Sequence, residues 1–210
     1  LFHPGRENME SIDGSAPVAH APSAVPNERF HVMPRPMSRK LIHSVVEGFG
    51  DAAVRLKKGG LDGVEIVASH GYLPAQFLNP HANLREDEYG GSLENRVRFL
   101  REITDNIRSK VGDDFVVGLR ISGDEKSHDA PDMDSVVGAI EMLDQGGGLD
   151  YFNVIAGSSS SLGGSIHIVP PMFIETGYVA PFAATIKQKT SVPVFVAGRI
   201  NQPQQAEEIV

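Results

Sequence analysis

Val64-Glu65-Ile66-Val67-Ala68-Ser69-His70-Gly71-Tyr72-Leu73 decides the fold, together with Gln76-Phe77-Leu78-Asn79-Pro80 and Asp87-Glu88-Tyr89-Gly90-Gly91-Ser92-Leu93-Glu94-Asn95-Arg96 behind it. The run reads as a buried strand, then a long loop dense in polar and aromatic groups, then a helix start. A strand that ends in His-Gly-Tyr and opens into such a loop is where α/β proteins place their chemistry.

The pattern repeats on either side. After Ser38, an N-cap residue, Leu41, Val45, Phe49, Ala52 and Leu56 recur at helical spacing, and Gly59-Gly60 supplies a stop. Beyond Ser92, Leu93, Val97, Leu100, Ile103, Ile107 and Val111 form a second helical stripe. Phe115 to Ile121 is a near-continuous apolar run ending in Arg120-Ile121, the mark of a strand buried on both faces. A helix is expected over 132–145, closed by Gly146-Gly147-Gly148, which follow a helix and so read as a C-cap rather than a phosphate cradle. A strand follows over Tyr151–Ala156, then a Ser-rich loop read as flexible. A helix over 173–189 carries Pro181 as a kink or boundary, and a strand over 193–197 leads into a last helix. Four alternations of strand and helix imply right-handed βαβ units and a parallel sheet. Both a (βα)8 barrel and an open doubly wound sheet fit, and both bind ligands at the carboxyl ends of their strands.

The 210 residues are 40% hydrophobic and 22% charged, ordinary values for a globular chain of one domain or two. A formal net charge of -8 without a basic block argues against nucleic acid or an anionic membrane as the main partner. No apolar run reaches the length of a membrane span. With zero Cys, disulfides and thiolate metal sites are excluded within the chain, which suits a reducing cytoplasm. The scattered histidines give no metal-ligand spacing, and P-loop, dinucleotide and nucleophile-elbow motifs are absent. Residues 7–37, rich in Pro, Ser, Ala and His, read as a lid-like loop. The first residues, Leu1 to Arg6, hold neither an initiator Met nor a signal-peptide pattern, and the chain stops within an amphipathic helix. Both ends read as those of a piece of a longer protein.

Polar groups gather at the strand ends. Arg120 must meet an anion or a polarised carbonyl, and an ion pair with Glu65 or Asp124 accounts for it as well as a ligand does. His70 and Tyr72 can donate or accept protons near a ligand, or serve only as packed structural groups. Gly198-Arg199 can offer N–H groups to a phosphate or be an ordinary turn. The residues alone leave these readings open.

The stretch from Gly60 to Ser122 resembles the Old Yellow Enzyme family of FMN-dependent NADH:flavin oxidoreductases. The resemblance lies in Asp62-Gly63-Val64-Glu65-Ile66, His70-Gly71-Tyr72-Leu73, Gln76-Phe77-Leu78, Asn83, Arg85, Tyr89-Gly90-Gly91-Ser92, Glu94-Asn95-Arg96 and Gly118-Leu119-Arg120. Shorter matches lie at Leu1 to Arg6, Ala21-Pro22-Ser23 and Val196 to Ile200. The resemblance implies an incomplete TIM (βα)8 barrel, from about the third strand to just past the seventh, so that residues 1–210 are part of an FMN-binding domain. It implies that Arg120 sits beside the flavin N1–C2=O edge, that His70 and Tyr72 meet substrate, and that Ala197, Gly198 and Arg199 lie near the FMN phosphate. Asn83, Arg85, Asp87, Tyr89, Asn95 and Arg96 would brace the long loop.

Many relatives hold His or Tyr at the position of Val67, so a polar pair is reduced here to His70. Val67 to Gln76, Asn27 to Pro34 and Gly163 to Pro171 look most like the branch that demethylates dimethylglycine or N-methylproline. That branch implies hydride transfer from an N-methyl group to flavin N5, with His167 a substrate contact and Tyr72, Tyr151 or Phe152 offering aromatic faces to a cationic substrate. Its larger members continue into a 4Fe-4S site and a second dinucleotide-binding region outside this piece. The alternatives are NAD(P)H-dependent reduction of activated C=C bonds and a non-catalytic barrel scaffold. The expected partner is a small-molecule substrate, with electron acceptor and homo-oligomeric state left open, and no metal site. A 210-residue piece without the closing strands is expected to bind FMN weakly. Tight stoichiometric binding in a flavin titration would contradict that.

Overall fold

The computed structural model describes residues 1–8 and 18–210. A two-residue parallel ladder joins β1 (His20–Ala21) to β2 (Arg35–Pro36). The elements that follow are α1 (Arg39–Lys58), β3 (Gly63–Ala68), α2 (Leu73–Leu78), α3 (Leu93–Val111), β4 (Val116–Asp124) and α4 (Met133–Gly146). β5 (Tyr151–Ala156), α5 (Leu162–Ser165), α6 (Ala180–Lys187), β6 (Val194–Val196) and α7 (Pro203–Ile209) complete the chain.

The sheet β3-β4-β5-β6 is parallel throughout, with neighbours in sequence order. A doubly wound sheet reverses its order at a switch point and carries helices on both faces. Here the order runs one way, and α1 packs on α3, α3 on α4 and α4 on α6 in a single outer layer. That is one arc of a barrel wall, and the barrel reading holds over the doubly wound one. The arc extends past β3: the Leu1 nitrogen donates to the Glu65 carbonyl (2.6 Å) and the Val67 N–H donates to the Leu1 carbonyl (2.9 Å), the bonding pattern of a further parallel strand.

Capping sets the long helices. The Ser38 hydroxyl accepts from the Leu41 N–H, Ser92 from Asn95, and the Asp132 carboxylate from Ser135. Arg55, Lys57 and Lys58 in the last turn of α1 complement its dipole. The buried stripe of α1 is Ile42, Val46, Phe49 and Ala53, one position on from the expected one, with Leu41, Val45 and Leu56 at its margin. In α3 the stripe is as expected from Val97 to Val111, with Leu93 only half-buried and Arg96, Phe99 and Thr104 added. The helix expected over 173–189 is shorter. Gly177 takes φ 69° and breaks the first half into turns, and Pro181 sits in the first turn of α6, where its missing N–H costs nothing.

The strands alternate. Val64, Ile66, Val117, Leu119, Ile121, Phe152 and Val154 are buried on the helix side, and Glu65, Val67, Gly118, Arg120, Tyr151, Asn153 and Phe195 occupy the other, inner face. Phe152, expected as an aromatic face for substrate, is fully buried among the helices, because its parity in β5 puts it on the outer side. Tyr151 has the inner parity. Its ring lies over Gly118, and a Cβ at Gly118 would fall inside that ring. Gly118→Ala is therefore expected to cost about 1–3 kcal/mol through overpacking. Urea unfolding measures it, and an unchanged midpoint would contradict the packing.

Candidate active site

β4 lies between β3 and β5, yet the loops that follow those two strands are bonded together. His70, at φ 60°, pairs with Ser158 as an isolated parallel bridge. The His70 carbonyl accepts from the Ser159 N–H (2.9 Å) and the Ser159 hydroxyl (2.8 Å). Ser122, at the end of β4, donates to the Gly157 carbonyl (3.2 Å) and accepts from the His70 N–H (3.4 Å). The Ser-rich loop is thus not a flexible linker. Ser158, Ser159, Ser160 and Ser161 are all buried, and the Ser160 carbonyl receives the N–H groups of Glu28 and Arg29. Hydroxyls let this loop satisfy buried backbone that would otherwise be unpaired.

The His70 ring packs edge-on against Tyr72 at 5.8 Å, and Tyr72 against Phe2 at 5.3 Å. Burial first, and the Arg120 charge second, push the His70 imidazole down to about 4, so it is neutral at neutral pH. Its Nδ1 is buried and has no partner among the described residues, the kind of polar atom that a ligand or water satisfies. Arg120 donates Nε to Glu65 Oε1 at 2.6 Å, so the ion-pair reading of this arginine is correct. It does not exhaust the side chain. The side chain is 37% exposed, and neither Nη atom has a hydrogen-bond partner among the described residues. Glu65 Oε2 also accepts from the Tyr151 hydroxyl (3.1 Å) and from Asn153 Nδ2 (2.9 Å). Burial, then the Glu65 charge, push the Tyr151 phenol up to about 12.

At the end of β6, the Ala197 N–H is taken by the Val154 carbonyl (3.0 Å). Arg199, at φ 54°, donates its guanidinium to the Ile174 carbonyl and accepts from the Gly177 N–H (3.2 Å). The side chain therefore braces the preceding turns. The main-chain N–H groups of Gly198 and Arg199 have no acceptor among the described residues, which leaves them for an anion. His167 is bonded elsewhere. Its Nδ1 meets the Gly163 carbonyl (2.9 Å) and its ring lies 5.8 Å from Tyr178, and among the described residues it makes no hydrogen bond to His70, Tyr72 or Arg120.

The loop after β3 is braced as its motif implies. Arg85 binds Asp87 and the carbonyls of Pro22 and Met37. Asn83 ties the carbonyls of Phe77 and Tyr89. Arg96 holds those of Leu78 and Gly91, and Asn95 that of Gly90. Of the lid-like loop over 7–37, residues 9–17, with Pro17, lie outside the described residues; Asn27 and Met37 are buried.

A buried acid cluster sits beneath, and it carried no motif. Glu7 Oε2 accepts from Asn27 Nδ2 (2.9 Å) and the Ser159 hydroxyl (3.0 Å), with Arg6 Nε 3.7 Å from Oε1. Desolvation raises Glu7 to about 7, and it raises Glu125, which also faces Asp129, to about 8. Glu125 and Ser122 border an otherwise mostly apolar cavity of about 20 Å³ between β3, β4 and α4, room for about one water and too small for a substrate.

The sequence matches the NADH:flavin oxidoreductase / NADH oxidase family over residues 1–210. The chain belongs to that family, the Old Yellow Enzyme family. It is 37% identical over 211 residues to the N,N-dimethylglycine/sarcosine dehydrogenase of Chromohalobacter salexigens, covering 100% of this chain and 30% of that protein. It is 39% identical over 204 residues to a multifunctional alkene reductase/demethylase of Caballeronia cordobensis, covering 95% of this chain and 29% of that one. Among solved structures, the complex of 2-naphthoyl-CoA reductase with 2-naphthoyl-CoA superposes with a TM-score of 0.87 at 30% identity, covering 99% of this chain and 33% of that one. The chain thus spans about a third of the length of these relatives.

A carboxyl raised by burial binds its proton in the folded state at pH values where the unfolded chain has released it, so its stabilising effect falls as pH rises. For Glu7 that window runs from about 4.5 to about 7. Glu7→Gln is expected to match the parent in urea midpoint near pH 5 and to exceed it near pH 8. A difference that stays constant with pH would contradict the buried-acid reading.

Proposed function

We propose that this chain carries the flavin and substrate groups of an FMN-dependent oxidoreductase that removes an N-methyl group from an N-methylated amino acid. The observation that carries the reading is Val67, opposite Arg120 in the β3–β4 register, beside a His70 held neutral. Enone reduction calls for polar groups that polarise a substrate carbonyl, and here one of the pair is an aliphatic side chain. An amine donor has no carbonyl to polarise, and it must lose its own proton before hydride leaves, which a neutral His70 does not oppose. The dimethylglycine/sarcosine dehydrogenase relative supports the same reading.

The residues present fit a flavin. Arg120 offers two Nη groups on the inner face to the pyrimidine edge, and Gly198 and Arg199 offer N–H groups to the phosphate, all without a partner among the described residues. Bound FMN would supply the two-electron acceptor for the methyl C–H hydride. Arg120 would hold a fixed positive charge at the pyrimidine edge, where reduction places negative charge. His70 hydrogen-bonds the substrate without adding charge, and Tyr72 sets its position through ring packing. Water would then add to the iminium carbon with loss of a proton, and the C–N bond of the resulting hemiaminal breaks to give amine and formaldehyde. His167 takes part only as a contact from the loop after β5. On this reading residues 1–210 are one part of the FMN barrel with 7–37 as its lid, in a cytoplasmic protein whose other regions hold the 4Fe-4S and second dinucleotide sites.

A second reading, NAD(P)H-dependent reduction of activated C=C bonds, is favoured by the relative named as both alkene reductase and demethylase. Anaerobic mixing of the full-length protein separates the two. Dimethylglycine or N-methylproline is expected to bleach the oxidised flavin, and Arg120→Ala to slow bleaching by roughly 100-fold, the scale of losing one charge-stabilising donor. Reoxidation of reduced flavin by cyclohexenone, with no bleaching by either amine, would favour the second reading. Purification without flavin would contradict both.

A further inference from the structure

Glu65 links three strands on the inner face: its own β3 carries the acid, β4 sends Arg120 Nε, and β5 sends the Tyr151 hydroxyl and Asn153 Nδ2. The two carboxylate oxygens divide the work. Oε1 holds the arginine, and Oε2 is pinned from the far side by the two β5 groups. In the register, Arg120 lies level with Val67 and Asn153, one inner-face step beyond Glu65. Its Nε therefore reaches back along the sheet to the carboxylate, and the Nη groups have no partner among the described residues. A guanidinium is a planar fork, so fixing Nε fixes the plane and direction of both Nη groups. Gly118 completes the arrangement, since only a residue without Cβ lets the Tyr151 ring cross β4 to reach β3.

We infer that Glu65 is a positioning residue for the flavin: it aims the Arg120 guanidinium at the flavin pyrimidine edge, with Tyr151 and Asn153 locking the carboxylate from β5. The inference rests on the flavin reading above. It assigns Glu65 a job that depends on reach rather than on charge. A negative charge near the ring, acting by itself, makes flavin reduction harder. An aimed arginine makes it easier. The two roles predict opposite results for a variant that keeps charge and loses reach, and for one that keeps reach and loses charge.

The test is potentiometry of the full-length flavoprotein, followed by the flavin absorbance. Glu65→Asp keeps the charge and withdraws it by one methylene. It is expected to shift the reduction equilibrium roughly tenfold toward oxidised flavin, about 30 mV for a two-electron couple. Glu65→Gln keeps an acceptor oxygen at the same reach and is expected to show no such fall. In an Arg120→Ala background, Glu65→Asp is expected to add nothing, because the two groups act in series. An unchanged equilibrium in Glu65→Asp, a fall in Glu65→Gln alone, or the same Glu65→Asp shift with Arg120 absent would each overturn the inference. A flavoprotein that no N-methyl amine reduces, yet shows these shifts, overturns only the substrate proposal. Absence of flavin from the full-length protein overturns both.

Discussion

A carboxylate on the inner face of a strand has to collect donors there or disrupt the fold, and Glu65 collects Arg120, Tyr151 and Asn153. Each donor that meets the half-buried carboxylate replaces a water it would otherwise need, and together they tie β4 and β5 to the acid on β3. The network spans three strands at the register their backbone ladders set. It also explains the Gly118-Leu119-Arg120 motif in physical terms. Gly118 makes room for Tyr151, Leu119 fills the helix-side core, and Arg120 meets the acid. Because Arg120 is more than a third exposed, the pair is partly screened, and its value lies in geometry more than in stability.

The second constraint is the end of the sheet. His70 is held in a left-handed conformation that a non-glycine residue adopts only when its surroundings enforce it. The enforcement comes from Ser159, Ser158 and Ser122, on two other strand ends. The ring is thereby fixed against Tyr72, within reach of the Arg120 charge. Glu7 shares the Ser159 hydroxyl with the His70 carbonyl, so the buried acid cluster is coupled to the loop that holds the histidine.

Much of this was legible in the residues. Strand β5 falls where its apolar run placed it, Ser38, Ser92 and Asp132 cap their helices, and Pro181 marks a boundary. The bracing roles of Asn83, Arg85, Asp87, Tyr89, Asn95 and Arg96 are as the motif implies. Sequence order of the strands, which separates barrel from doubly wound sheet, is a tertiary property that periodicity does not carry. Phe152 and Tyr151 were given the same role because composition does not record parity; counting alternate residues from Asn153 would have separated them. The Ser-rich loop looked flexible because hydroxyl-rich sequences usually are, and only its buried partners make it rigid. Glu7 and Glu125 had no local signature at all, since their burial depends on segments far apart in the chain.

The central claim is that an acid on β3 aims an arginine on β4 at a flavin. A crystal structure of the full-length protein with FMN bound tests it most directly. The account predicts that Arg120 Nε stays bonded to Glu65 while an Nη group lies within about 3.2 Å of the flavin N1–C2=O edge. An Arg120 turned away from the ring, or one that reaches it only after leaving Glu65, would contradict the account.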